Sequence, residues 1–156
     1  MRILLVGAGG VGTAIAQIAA RRPFAELIIA DYDLARAQRA ATAKPSYTAV
    51  QLDARDETGT AALLAEHRCD VLMNATDPRF VMPLFRAALA ARVNYLDMAM
   101  SLSQPDPVEP YARTGVKLGD EQFAMADQWE QAGRLALAGI GAVSYTHLTL
   151  PTTPYV

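Results

Sequence analysis

Short apolar runs and stretches of helical period alternate along this chain. The runs with β character lie at 2–6, 27–30, 47–52, 71–74, 93–96 and 135–140, which predicts six strands. Between the first two, Val11, Ile15 and Ile18 recur at helical spacing on one face, and Pro23 follows the Arg21-Arg22 pair that closes the helix. The strands are almost continuously apolar rather than alternating, so both faces of their sheet must be covered by helices. Regular β-α alternation with both faces covered predicts an α/β fold, a three-layer, doubly wound parallel sheet with strand order 3-2-1-4-5-6.

Local signals place the helix boundaries. Asp33 and Asp56 each precede a helical stretch and can accept from the free N–H groups of its first turn. In "DPRFVMPLFRAALAAR" the regular helix is predicted from Met82 or Pro83, because a proline is tolerated only where the helix has no N–H bond to lose. The segment after Leu96 carries three prolines and no period until a helix resumes near Glu121 and ends at Gly133. A loop of that length is more often functional than ornamental.

The chain has 156 residues, 52% of them hydrophobic and 19% charged, which fits one globular domain with a real core. The formal net charge of −2 and the pI near 5.6 provide no basic field, so neither nucleic acid nor an anionic membrane surface is an expected partner. No apolar run approaches the roughly 18 residues of a membrane span, and no export signal is read at the start. The single cysteine, Cys69, reads as a packed thiol, and a cytoplasmic, reducing location is the expectation. His67 and His147 are isolated, and no metal site is expected. Met98, Met100, Met125, Phe123 and Trp129 read as packing residues.

The chemistry-bearing motif is "RILLVGAGGVGTAI", with G-x-G-x-x-G at Gly7, Gly9 and Gly12 directly after a strand and opening a helix. Gly7 allows the sharp turn out of the strand, Gly9 leaves no Cβ between backbone and a pyrophosphate, and Gly12 lets helix and sheet approach closely. The amides along Ala8, Gly10 and Val11, with the positive end of the helix dipole, then face the phosphates. Glycines alone are weak evidence, but here an acid, Asp31 in "LIIAD", follows Gly12 by 19 residues at the tip of the second strand. No lysine stands at P-loop spacing. The pattern predicts a Rossmann-type dinucleotide site.

Asp31 can accept from both adenosine ribose hydroxyls and would repel a 2′-phosphate, so NAD is favoured over NADP. Arg36 and Arg39 on the following helix keep NADP open, although they read first as solvated helix charges. Asp53 either meets the adenine amino group or helps cap the next helix. Asn74, Ala75 and Thr76 leave the fourth strand at its carboxyl end, where ligands lie in open α/β sheets. Asp97 and Ser101 are the polar groups nearest to where a nicotinamide would extend. Asp97 either orients cofactor or substrate, or caps the loop. No residue is singled out as a catalytic acid or base.

Taken together, "MRILLVGAGGVGTAIAQIAA", "VQLDARD", "CDVLMNATDP", "VNYLDMAMS" and "TGVKLGDEQFAMADQWEQAG" resemble the cofactor-binding N-terminal domain of the saccharopine dehydrogenase family, over Met1 to about Ala142. The resemblance implies an oxidoreductase acting at the C–N bond of an amino acid, exchanging hydride with NAD or NADP through an imine. It implies that Gly7, Gly9, Gly12 and Asp31 hold the dinucleotide, and it leaves room for a homodimer formed through a substrate domain. In that family a Gly/Pro turn leads from the sixth strand into the substrate domain, and here it is absent. The last stretch of the chain, "VSYTHLTLPTTPYV", resembles translated sequencing-adaptor read-through, so residues 143–156 are expected to be a non-native tail and the substrate domain to be missing, unless the tail is a genuine β-rich peptide. The fragment would then bind dinucleotide and turn over little. The alternative is a non-catalytic NAD-sensing module of the potassium-channel regulatory type, which shares the glycine loop and the acid after strand two.

Overall fold

The computed structural model describes residues 1–23 and 25–140. The expected tail, with His147, lies outside the described residues. Six strands, β1 (Arg2–Val6), β2 (Glu26–Asp31), β3 (Thr48–Gln51), β4 (Val71–Asn74), β5 (Asn94–Asp97) and β6 (Ala136–Leu137), form one parallel sheet in the order β3-β2-β1-β4-β5-β6. This is the architecture the sequence predicts. The order reverses beside β1, between β1 and β4, so a crevice opens there at the carboxyl ends of the strands.

Side chains alternate between the two faces of each strand, and each face buries its own core. On one face Ile3, Leu5, Leu27 and Ile29 pack with Ala16, Ala37 and Ala40 of helices α1 (Gly10–Ala19) and α2 (Leu34–Ala41). On the other, Leu4, Val6, Ile28 and Leu72 pack with Leu64 of α3 (Glu57–Glu66) and with Leu84, Phe85 and Ala88 of α4 (Val81–Ala90). The chain then forms two short helices, α5 (Asp120–Phe123) and α6 (Ala126–Ala132), and Trp129 of α6 closes an aromatic cluster with Phe85 and Tyr95. Phe123, read as packing, is 58% exposed.

The helix starts follow the sequence signals. Asp33 accepts from the Ala35 N–H and Asp56 from the Gly59 N–H, capping α2 and α3. Pro83 sits third in α4, behind a 3-10 turn at Pro78–Phe80, where no helical bond to its nitrogen is lost. Gly133, at φ +63, ends α6.

Three expectations change. β6 spans two residues instead of six, because Gly139 at φ +73 turns the chain away, although the Ile140 N–H still reaches the Asp97 carbonyl. In α1 the Val11–Ile18 stripe is not the buried one: these two are 55% and 61% exposed, whereas Gly12 and Ala16 face the sheet. A helix that must approach a glycine loop this closely buries its smallest side chains. The helix expected near Glu121 is broken between α5 and α6 around Met125.

Cys69 is buried beside β4, and burial pushes its thiol up to about 11. A thiol-disulfide reagent at pH 8 is therefore expected to label the native protein on the order of a hundredfold more slowly than the urea-unfolded chain. Equal labelling rates would show that Cys69 is not held in this core.

Candidate functional site

The loop from β1 into α1 is built by contacts that side chains would forbid. Gly7 has φ +99, a region L-residues rarely adopt, and a Cβ there would lie 2.7 Å from the Ala75 carbonyl oxygen. A Cβ on Gly12 would lie 2.9 Å from the Gly7 carbonyl carbon and closer still to its oxygen. Both glycines are thus required by the fold itself. Gly9 differs. Its backbone is extended (φ −73, ψ −161), and a Cβ there would meet no protein atom within 4 Å. Gly9 is also the N-cap of α1 and offers no side-chain oxygen to the helix. The first amides of α1, from Gly10 through Gly12, have no preceding helical carbonyl to bond, so their donors and the positive end of the dipole are available at the loop.

Asp31 ties this loop to β2. Its Oδ2 accepts from the Ala8 N–H at 2.7 Å and its Oδ1 from the Asp33 N–H at 2.9 Å. The carboxylate is only partly buried, and each oxygen retains a further acceptor direction. It can receive hydroxyl donors while holding the loop in place.

A cavity of about 470 Å³ opens in front of the loop, within the roughly 300–1,000 Å³ of ligand pockets. Of the residues singled out in the sequence, it gathers Gly7, Gly9, Asp31, Asp53, Ala75 and Thr76. Ala8, Gly10, Val11, Gly12 and Asn74 are not among its lining residues. Asn74 is buried behind the wall, where its Oδ1 accepts from the Thr76 N–H and hydroxyl at 2.9 and 2.6 Å. Its amide donates to the Tyr95 hydroxyl at 3.1 Å. It shapes the turn that brings Ala75 and Thr76 forward.

Sequence reasoning missed Tyr32, Leu52, Ala54, Arg55 and Phe80, which also line the cavity. Arg55 had a local signal, its place two residues after Asp53. The Asp53 carboxylate binds it at Nε and at a terminal nitrogen, and this guanidinium holds the carboxyl down at about 2. Asp53 is therefore charged at every physiological pH. The capping role open to Asp53 belongs to Asp56.

Asp97 stands apart from this cavity. It is fully buried; its carboxylate accepts from the Gly139 N–H and, at 2.8 Å, from the Gln122 amide, and lies beside the Tyr95 hydroxyl. Burial raises its pKa, while these hydrogen bonds act in the opposite direction. Both carboxylate oxygens are turned into the protein, joining the end of β5 to the chain after β6. The structure does not bring Asp97 to the dinucleotide cavity, and Ser101, 2% exposed, lies on the far side of the Pro78–Phe80 turn.

A glycine loop, an open helix N-terminus and a strand-tip acid around one cavity define a nicotinamide-dinucleotide-binding Rossmann domain. Residues 3–137 match the sequence model of the saccharopine dehydrogenase NADP binding domain, and the chain belongs to this family. It is 32% identical over 143 residues to carboxyaminopropylagmatine dehydrogenase of Synechocystis sp., covering 90% of this chain and 34% of that protein. Against carboxynorspermidine synthase of Vibrio cholerae it is 27% identical over 153 residues, covering 90% of this chain and 36% of the relative. The chain therefore spans about a third of the length of the curated relatives it matches. Among solved structures, saccharopine dehydrogenase (L-Glu forming) from Saccharomyces cerevisiae superimposes with a TM-score of 0.67 at 19% identity, over 89% of this chain and 27% of the other. At that identity the likeness speaks for the fold. Among the described residues no helix is long and apolar enough to cross a membrane, and no group of three His, Cys, Asp or Glu could hold a metal ion.

Proposed function

We propose that this chain is the dinucleotide-holding part of an oxidoreductase that acts on the C–N bond of an amino-acid-derived amine, with NAD preferred over NADP. The observation that carries the reading is Gly9. No protein atom requires a glycine there, and its bare face fronts a cavity bordered by Asp31, so a pyrophosphate is what its missing side chain would obstruct. The amides of Gly9 through Gly12 hold the diphosphate, Asp31 the adenosine ribose, and Asp53 with Arg55 flank the adenine end. When bound, the nicotinamide accepts or supplies the hydride. The relatives named for carboxyaminopropylagmatine and carboxynorspermidine support a substrate bearing both amine and carboxyl groups. The residues that complete the substrate site are taken to belong to a further domain, so residues 1–142 alone are expected to bind dinucleotide without sustained turnover of saccharopine.

The preference for NAD rests on charge. A 2′-phosphate held at the ribose would face the Asp31 carboxylate, and two of the cations nearby are engaged, Arg55 by Asp53 and Arg36 by Asp33 at 3.6 Å. Calorimetric titration with NAD and NADP is expected to favour NAD. Asp31→Asn, which retains an acceptor for the Ala8 N–H, should shrink the NAD/NADP affinity ratio by about tenfold, or about 1.4 kcal/mol. Tighter binding of NADP by the wild type, or an unchanged ratio in the variant, would remove the NAD assignment.

A further inference from the structure

Asp97 is a charge buried at the end of β5, away from the dinucleotide cavity, and burying a charge is costly unless donors surround it. The donors around it are oriented by backbone groups farther off. At one end the Thr76 N–H, which can only donate, meets the Asn74 Oδ1 at 2.9 Å. The Asn74 Nδ2 must then turn the other way, and it donates to the Tyr95 hydroxyl oxygen at 3.1 Å. At the other end the Ser101 N–H meets the Gln122 Oε1 at 2.8 Å, so the Gln122 Nε2 faces Asp97 and donates to its Oδ2 at 2.8 Å. The Gly139 N–H donates to the other carboxylate oxygen. Because the Tyr95 oxygen already accepts from Asn74, its proton is left for the Asp97 carboxylate beside it. Asn74, Tyr95, Asp97 and Gln122 are all buried, so water cannot relieve a mismatch among them.

Three donors thus converge on Asp97, and only a side chain that accepts at both of its ends satisfies them all. An amide of the same shape would present its NH2 group to one of the three. The Gly139 N–H is fixed in the backbone and Gln122 is held by Ser101, whereas the Tyr95 hydroxyl rotates about its C–O bond. The mismatch therefore falls on Tyr95, whose proton is then turned on the donor face of Asn74. Asn74 in turn sets the Ala75–Thr76 turn, because its Oδ1 also accepts from the Thr76 hydroxyl at 2.6 Å. That turn borders the dinucleotide cavity and abuts the glycine loop. The Ala75 carbonyl oxygen and the Thr76 methyl lie 2.7 and 3.0 Å from where a Gly7 Cβ would stand.

We propose that Asp97 is a positioning residue for the dinucleotide, its charge fixing the donor direction along Tyr95 and Asn74 and so the seat of Thr76 against the glycine loop. It touches no ligand itself. The proposal rests on the dinucleotide reading and deepens it, by giving the cavity wall a support that begins at the end of the neighbouring strand.

The test is a double-mutant cycle on the full chain, with NAD affinity measured by calorimetry below the lowest melting temperature of the set and the Thr76 amide followed by NMR. Asp97→Asn is expected to weaken NAD binding about tenfold and to move the Thr76 amide in the free protein. Tyr95→Phe keeps the ring against Phe85 and Trp129 but leaves the Asn74 Nδ2 unpaired, and is expected to weaken binding about threefold. Because the line from Asp97 to Asn74 is then already cut, adding Asp97→Asn to Tyr95→Phe is expected to change the affinity by less than about twofold further. An Asp97 that only holds Gly139 and Gln122 in place would lower stability in both backgrounds alike and leave NAD affinity and Thr76 unmoved. The proposal is overturned if Asp97→Asn binds NAD as the wild type does, or weakens binding equally with and without the Tyr95 hydroxyl. Should Asp97→Asn not fold, Tyr95→Phe decides alone, and an unchanged affinity with an unmoved Thr76 amide overturns the proposal. A wild-type chain that binds no NAD removes the dinucleotide reading and this role with it; a wild type that binds, beside variants that bind equally well, removes only the role of Asp97.

Discussion

Replacing Gly12 by alanine is expected to collapse the domain's stability, by on the order of 4 kcal/mol, and to abolish dinucleotide binding with it. Inserting one methyl into a packed site commonly costs about 1–3 kcal/mol, because neighbouring side chains yield. Here the obstacle is backbone: the new Cβ would overlap the Gly7 carbonyl, itself fixed by the Gly7 N–H bond to Ala30 at 2.8 Å and by the positive φ of the turn. Moving the helix away instead would pull the fully buried Ala16 off the sheet one turn later. Urea unfolding measures the loss. A change within about 1 kcal/mol of wild type would mean that α1 does not press against the Gly7 carbonyl.

Gly9→Val is expected to produce the converse. The residue's extended backbone accommodates a β-branched side chain and nothing lies within 4 Å of the new Cβ, so the stability cost is expected to be that of a poorer N-cap, about 1 kcal/mol. Dinucleotide affinity, however, should fall by roughly a hundredfold, or about 2.7 kcal/mol, because the side chain occupies the approach of the diphosphate to the loop amides. A folded variant that still binds normally would separate the glycine from any ligand. Two glycines three residues apart are thus predicted to fail for different reasons, Gly12 in the fold and Gly9 in the function.

Much of this was legible in the sequence because the signals are local. The strand-turn-helix around Gly7, the caps at Asp33 and Asp56, and the acid at Asp31 depend on neighbours within a few residues. The β-α alternation that marks a parallel α/β sheet is likewise read segment by segment, and the strand order then follows from the doubly wound fold class. What the sequence concealed depends on tertiary approach. The apolar stripe of Val11, Ile15 and Ile18 predicts a helix correctly, but only Ile15 packs against the core, and the residues buried deepest are the small Gly12 and Ala16. Small residues at i and i+4 beside the glycine motif were the available sign. Asp97, an acid at a strand tip, reads from the sequence either as facing a ligand or as capping the loop, and the structure shows it tying the loop. Its burial is decided by Gln122 and Gly139, 25 and 42 residues later, which no local pattern links to it. Arg55, Tyr32 and Phe80 come together only when β2, β3 and β4 are aligned in one sheet.

Phosphorus NMR of NAD gives the sharpest check, since it observes the diphosphate itself. Added to the wild-type chain, the two pyrophosphate resonances should broaden and shift saturably, while equimolar Gly9→Val, shown to be folded, should leave them at their free positions. Pyrophosphate resonances unmoved by the wild type, or moved equally by both proteins, would contradict a diphosphate seated on the loop between Gly9 and Gly12.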